Sequence, residues 1–125
     1  MGAEKLAQFR NQKYLNLMTF KKNGQQVATP VWFAEGDGVF YVYSLASAGK
    51  VKRIRNNPHV RLVPCDARGK PKGEWVDGTA VILGPEGAER GHQLLNQKYG
   101  ILKRIGDFFS RLRKRERAVI ALRVD

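Results

Sequence analysis

The sequence predicts a mostly β, single-domain protein whose six strands close into a small antiparallel barrel bridged by short helices. Three observations carry this reading. Two tight-turn dipeptides, Asn23-Gly24 and Asp37-Gly38, punctuate alternating apolar stretches and make the first part of the chain a three-stranded meander. Two further apolar stretches, 59–66 and 74–83, flank a Gly- and Pro-rich turn, and another closes the chain at 118–124. At 125 residues with 42% hydrophobic side chains, the chain can bury one core and is short of the size at which cores split. Residues 1–125 therefore read as one domain, without repeats, low-complexity stretches or linkers.

Taken in order, Met1 to Lys13 predicts a short helix, with Leu6 and Phe9 three apart. Tyr14 to Lys22 alternates, Leu15 and Leu17 facing one way and Asn16 and Met18 the other. Asn23-Gly24 is expected to be a type I′ hairpin turn, which needs positive φ at both central residues. Gln25 to Glu35 is the second strand. After Asp37-Gly38 comes the third, Val39 to Ser44, with Val39, Tyr41 and Tyr43 on one face. From Ser47 to Asn57 the period becomes helical: Val51 and Ile54 form a narrow apolar stripe, Lys50, Lys52, Arg53 and Arg55 cover the rest, and Asn57-Pro58 ends the helix. Strands at His59–Asp66 and Glu74–Leu83 follow. Pro85 and Glu86 open a helix that runs to Tyr99 and stops at Gly100. Ile101 to Lys114 reads as a basic amphipathic helix, with Leu102, Ile105, Phe109 and Leu112 on one face, and Ala118 to Val124 as the last strand.

Charge is the strongest compositional signal. Lys and Arg number 23 against 11 acids, a net +12 that attracts anions of every kind without choosing among them. No apolar run approaches the ~18 residues that span a bilayer, and the first ten residues carry no signal-peptide core. The lone Cys65 asks for no oxidising compartment, so a cytoplasmic protein without membrane partners is expected.

Two segments stand out for chemistry. In Ser44–Arg55, SLASAGKVKRIR, a strand passes through small residues into a helix whose first turn holds Lys50. Free amides at a helix start, with the positive end of the macrodipole, form an anion site. Lys50 and Arg53, three apart, share a face and can close on one phosphate; an ordinary solvated basic helix has the same spacing. The Walker pattern is absent. In Ala28–Phe33, ATPVWF, Pro30 removes a ladder donor and so belongs at an edge, a bulge, or a place where the backbone faces something other than a strand, such as a planar ring. An edge strand satisfies the pattern as well. Trp32 can stack on a ring, although core packing is the commoner use. His59 and His92 lack Cys or carboxylate at ligand spacing, so no metal site is expected; Cys65 reads as a small buried hydrophobe. No acid–base or nucleophilic constellation appears and no catalytic residue is assigned, which leaves the hard chemistry of any enzyme here to a cofactor.

The runs YLNLMTFKKNGQQVATPVWFAEGDGVFYVYS, SAGKVKRIRNNPHVRL, GTAVIL and KYG together resemble the pyridoxamine-phosphate-oxidase-like superfamily of FMN-binding split barrels. Within it, the chain looks most like the branch of deazaflavin (coenzyme F-420) dependent oxidoreductases, over about Tyr14 to Val124. The resemblance implies a six-stranded split barrel that forms a homodimer with cofactor sites at the interface. It implies that Lys50, Lys52 and Arg53, aided by Ser44 and Ser47, meet the cofactor phosphate. The strand Thr29, Pro30, Val31 and Trp32 would lie along the tricyclic ring, with Lys98 and Tyr99 reaching the site from the partner subunit. The chain is shorter than the pyridoxamine-phosphate oxidases themselves and lacks their C-terminal substrate-binding arginine region. Oxidation of pyridoxamine phosphate is therefore not expected.

Two classes of function follow. The first is an oxidoreductase that moves a hydride between F-420, with FMN as the alternative cofactor, and a small organic substrate. Its basic surface suits the phosphodiester and poly-glutamate tail of the deazaflavin better than the single phosphate of FMN. The second is a non-enzymatic basic module whose helices grip nucleic acid or another polyanion. Against it, the basic residues are not interleaved with aromatics and no nucleic-acid motif is present.

Overall fold

Hydrogen-bond register, more than strand propensity, decides this architecture. The computed structural model describes residues 2–45, 48–100 and 117–125. They form α1 (Gly2–Ala7), β1 (Tyr14–Phe20), β2 (Gln26–Gly36), β3 (Val39–Leu45), α2 (Gly49–Asn56), β4 (His59–Cys65), β5 (Val76–Ile82), α3 (Pro85–Tyr99) and β6 (Arg117–Val124). Every strand pairing is antiparallel, and the order β1-β2-β3-β6-β5-β4 returns to β1 as a closed barrel. The six-stranded barrel expected from the sequence is the fold observed. The expected helix 101–114 and Ser47 lie outside the described residues.

The inward positions are the apolar alternates of each strand: Leu15 and Leu17, Val31 and Phe33, Phe40 and Val42, Val60 and Leu62, Val76 and Ala80, Ile120 and Leu122. Phe9, in the turn after α1, adds its ring to Phe33 and Phe40, with centroids 6.0 and 4.8 Å away. At the other end, Val51 and Ile54 of α2 enter the same core, so the stripe read from the sequence is the buried face of that helix. Helix α3 lies outside the barrel against β2, β3 and β6.

Two local expectations change. The Asn23-Gly24 turn is not type I′, because Gly24 has φ of 87° but Asn23 is not in the left-handed region. Gly24 N–H donates to Lys21 O (2.8 Å) and Lys21 N–H to Gln25 O (2.9 Å), enclosing a three-residue loop with a glycine bulge. Asn23 Oδ1 accepts the Gln25 N–H at 2.9 Å, a local bond that favours this longer loop. The type I′ signature, positive φ at both central residues, sits instead at Asp37 (54°) and Gly38 (80°). Strand β1 is also more buried than its alternation implies. The turn 66–70 folds over its outer face, where Asn16 Nδ2 donates to Gly69 O at 2.9 Å and Asn16 Oδ1 is buried without a partner among the described residues.

Candidate functional site

The barrel is split along one seam. Strand β2 pairs with β1 from Gln26 to Trp32 but with β3 only from Phe33 to Gly36. Lys21 N–H meets Gln25 O on the β1 side, and Phe33 N–H also points to that side. Alternation then turns the backbone groups of Gln26, Ala28, Pro30 and Trp32 the other way, toward an edge with no strand partner among the described residues. Pro30, which has no N–H to offer, falls on this open edge, as its chemistry requires. Val31 points into the core and Thr29 shares its face, while Pro30 and Trp32 point outward. Trp32 is therefore not a core residue. Its indole stacks on the Tyr99 ring, centroids 4.6 Å apart and planes 9° from parallel.

Tyr99 also completes the ladder where β1 ends. Its hydroxyl oxygen accepts the Phe33 N–H (2.9 Å), and its proton serves the Lys13 carbonyl (2.5 Å) or the Phe33 carbonyl (2.8 Å). Burial, the dominant cause, pushes the phenol well above its ordinary pKa. The neighbouring Lys98 Nζ lies 3.6 Å from the centroid of the Phe33 ring.

On the other side of the seam, β3 stays paired with β6 through Leu45, and four residues later the chain enters α2. This helix starts at Gly49 behind Ala48, without a side-chain cap or an acid in its first turn. Among the described residues no side chain caps its first amides, which are open to an external acceptor. Arg53 Nε donates to Thr19 Oγ1 at 2.6 Å, tying α2 to the inner face of β1. The guanidinium then folds back over the helix start: a Cβ on Gly49 would sit 2.7 Å from Arg53 Nη1. Lys50 is half-buried, and burial first, then the Arg53 charge, lowers its pKa. Lys52, Arg53 and Asn56 join Phe20, Lys21 and Lys22 around a groove of about 190 Å³.

Lys50, Lys52 and Arg53 are therefore gathered at the Thr19–Phe20 end of the barrel, near the start of α2. Ser44, buried, alternates with the inward Phe40 and Val42 and pairs with Ala118. Thr29 to Trp32 run along the open edge, and Lys98 and Tyr99 stand at the Tyr14–Phe33 end. Lys21 and Lys22 were missed in the sequence reading, although two adjacent lysines before a hairpin glycine were a usable signal. Thr19 carried none: its partner is 34 residues away. Because Arg53 braces α2 against β1, it is not the freely replaceable surface cation that its place off the Val51–Ile54 stripe implies.

The donor set fits a phosphorylated ring cofactor: uncapped helix-start amides with two nearby cations for a phosphate, and unpaired strand backbone for a polar ring edge. Elsewhere, Cys65 is buried and its thiol pushed up, first by burial. His59 Nε2 lies 3.3 Å from Asp77 Oδ1, and His92 packs edge-on to Tyr43. Among the described residues no three His, Cys, Asp or Glu side chains gather as a metal site, and no helix is long and apolar enough to cross a membrane.

The chain matches the pyridoxamine 5'-phosphate oxidase family over residues 1–125 and belongs to it. No curated protein matches it. Among solved structures it resembles an FAD-binding protein from Mesorhizobium loti (20% identity, TM-score 0.65, 100% of this chain and 88% of that one). It also resembles HutZ, the haem storage protein of Vibrio cholerae (18%, 0.70, 98% and 89%), and General Stress Protein 26 of Bacillus anthracis (18%, 0.65, 100% and 91%). These likenesses show the fold alone.

Proposed function

We propose that this protein binds a phosphorylated flavin or deazaflavin in the seam and acts as an oxidoreductase on a small organic substrate. One observation carries the reading: beyond the β2–β3 pairing lie a stretch of β2 backbone without a strand partner among the described residues and, on the β3 side, the chain's entry into the uncapped cationic start of α2. Lys50, Arg53 and the Gly49 and Lys50 amides hold the phosphate, with Lys52 at the rim. The β2 edge around Thr29, Pro30, Val31 and Trp32 orients the ring. When bound, the ring system supplies the hydride chemistry; the chain supplies anchoring, orientation and exclusion of water.

The finer assignment favours coenzyme F-420 over FMN. The groove of Lys21, Lys22, Lys52 and Arg53 continues the cationic surface beyond the helix start and suits an anionic tail longer than one phosphate. The open edge and the outward Trp32–Tyr99 pair support a homodimer with the sites at its interface. The test is an absorbance and fluorescence titration with F-420, FMN, riboflavin and haemin. F-420 and FMN should bind at least tenfold more tightly than riboflavin, which lacks the phosphate. Equal binding of riboflavin and FMN refutes the phosphate site, and tight haemin binding without flavin binding replaces the reading.

A further inference from the structure

The connection between β4 and β5 reaches across β1 to the open edge of β2. Its first half folds back as a small hairpin: Lys72 N–H donates to Pro64 O (2.7 Å), Asp66 N–H to Lys70 O (3.1 Å) and Gly69 N–H to Asp66 O (3.0 Å). The Asp66 carboxylate accepts the Arg68 and Lys70 amides, both at 2.9 Å, which stiffens the tip. Gly69, at φ of 91°, seats that tip on the barrel. Its carbonyl accepts Asn16 Nδ2 at 2.9 Å, and a Cβ built on it would stand 3.7 Å from Pro30 Cδ. Asn16 and Pro30 are cross-strand partners, so the tip crosses β1 and ends on the stretch of β2 that has no second strand partner among the described residues.

Beside the tip lies an accessible apolar shelf. The outward residues of β2 here are Ala28 and Pro30, both exposed, and the half-buried Trp32; Met18, paired with Ala28, is half-buried too. Arg68 and Lys70 flank Gly69 in the chain, each Cα about 3.8 Å from that of Gly69. Both side chains are exposed, and neither makes an ion pair or a side-chain hydrogen bond among the described residues. The Asp66 charge acts on Lys70, which leaves Arg68 the freer cation.

From this placement we infer that the tip of the β4–β5 connection selects the substrate: Arg68, seconded by Lys70, holds the anionic group of a small organic acid whose apolar body lies on the Pro30 shelf beside the cofactor ring. The inference rests on the proposed placement of the ring along β2 and adds to it the class of substrate, an organic anion. A guanidinium meets a carboxylate or sulfonate with two parallel N–H bonds, so Arg68 fixes direction as well as charge. These cations are not those of the phosphate site. Asn16, under the tip, is four residues along β1 from Phe20 at the α2 end, about 13 Å at 3.3 Å per residue. A cofactor phosphate and a substrate anion therefore do not compete for the same side chains.

The test loads the full chain with FMN and titrates it with naphthalene-2-sulfonate, with naphthalene-2-sulfonamide as the uncharged analogue, by calorimetry and by the flavin absorbance. The sulfonate should bind at least tenfold more tightly than the sulfonamide and should shift the flavin spectrum. Arg68→Gln should lose at least tenfold in sulfonate affinity with FMN affinity unchanged, and Lys70→Gln should lose less. Gly69→Ala keeps every charge, but its new Cβ meets Asn16 Nδ2 at 3.3 Å on a backbone of positive φ, so it should lift the tip and weaken sulfonate binding. Arg55→Gln removes one positive charge from the exposed side of α2 and should change little. Equal binding of the sulfonamide, an unaffected Arg68→Gln variant, an Arg55→Gln loss as large as that of Arg68→Gln, or sulfonate binding that leaves the flavin spectrum unmoved each overturns the assignment. FMN binding is read first, by its own fluorescence: FMN that fails to bind overturns the seam reading and this inference with it, whereas FMN that binds without any preference for the sulfonate overturns this inference alone.

Discussion

Replacing Lys50 and Arg53 together by Ala separates a built phosphate clamp from a merely basic surface. Each side chain can give a phosphate one charge-assisted hydrogen bond, worth about 1.5–3 kcal/mol. Losing both costs about 3–6 kcal/mol, or roughly two to four decades of affinity at tenfold per 1.4 kcal/mol. The single variants should differ in kind. Lys50→Ala removes a cation whose charge burial already disfavours, so cofactor affinity falls at least tenfold while the apo protein keeps its stability. Arg53→Ala also breaks the 2.6 Å bond to Thr19, a residue only 1% exposed, so affinity and apo stability fall together, the latter by about 1.5–3 kcal/mol. The assay is flavin fluorescence quenching by each variant, paired with urea unfolding in the absence of cofactor. The control is Arg113→Ala with Lys114→Ala, which lowers the net charge by the same two units. Equal affinity losses in the two double variants would mean that only the overall field matters, and an Arg53→Ala protein as stable as wild type would refute the brace.

Four further outcomes are expected. Tyr99→Phe removes the hydroxyl that satisfies Phe33 N–H and the Lys13 carbonyl, and should cost about 1–3 kcal/mol in chemical denaturation; a neutral effect would mean that water replaces it freely. Gly24→Val should destabilise by about 1 kcal/mol or more although no atom lies within 4 Å of the new Cβ, because the cost is φ of 87°; an unchanged melting temperature would contradict the turn geometry. Light scattering at micromolar concentration with cofactor bound should give a dimer, and a monomer would count against sites completed by a partner subunit. Nonspecific DNA binding driven by the +12 charge should be weak and fall with salt, with a log–log slope of about −0.9 per phosphate contacted. Tight, sequence-selective binding that survives high salt would favour the polyanion-binding module instead.

The parts of the fold legible in the sequence were those set by local chemistry. Asp37-Gly38 turns the chain because its residues accept positive φ, and Val51 and Ile54 bury because three-residue spacing puts them on one face of α2. Pro30 announces its edge because a missing N–H has the same consequence in any fold. What stayed hidden depends on contacts made across the chain. Trp32 looks like a core aromatic until β2 register turns Val31 and Phe33 inward and leaves the indole to stack on a ring 67 residues later in the sequence. The three-ring cluster was unreadable for the same reason: Phe9, Phe33 and Phe40 meet only once the strands close, and α3 then brings Lys98 over Phe33.

Arg53 shows how the seam joins stability to binding. The barrel is closed through β1 and β4, yet β2 and β3 separate beyond Phe33 and Val42, so one end needs a plug. Helix α2 is that plug, with Val51 and Ile54 in the core and Arg53 bonded to Thr19. The same bond fixes the guanidinium beside Gly49, where the first amides of the helix are uncapped. On the proposed function, a phosphate bound there would meet groups already held in place and lose little to side-chain ordering, whereas a surface lysine must be immobilised at the moment of binding. Gly49→Ala tests this coupling directly. The new Cβ, 2.7 Å from Arg53 Nη1, should displace the guanidinium and weaken phosphate binding while every charge remains. Cofactor affinity equal to wild type in that variant would show that charge alone, without the placement, suffices.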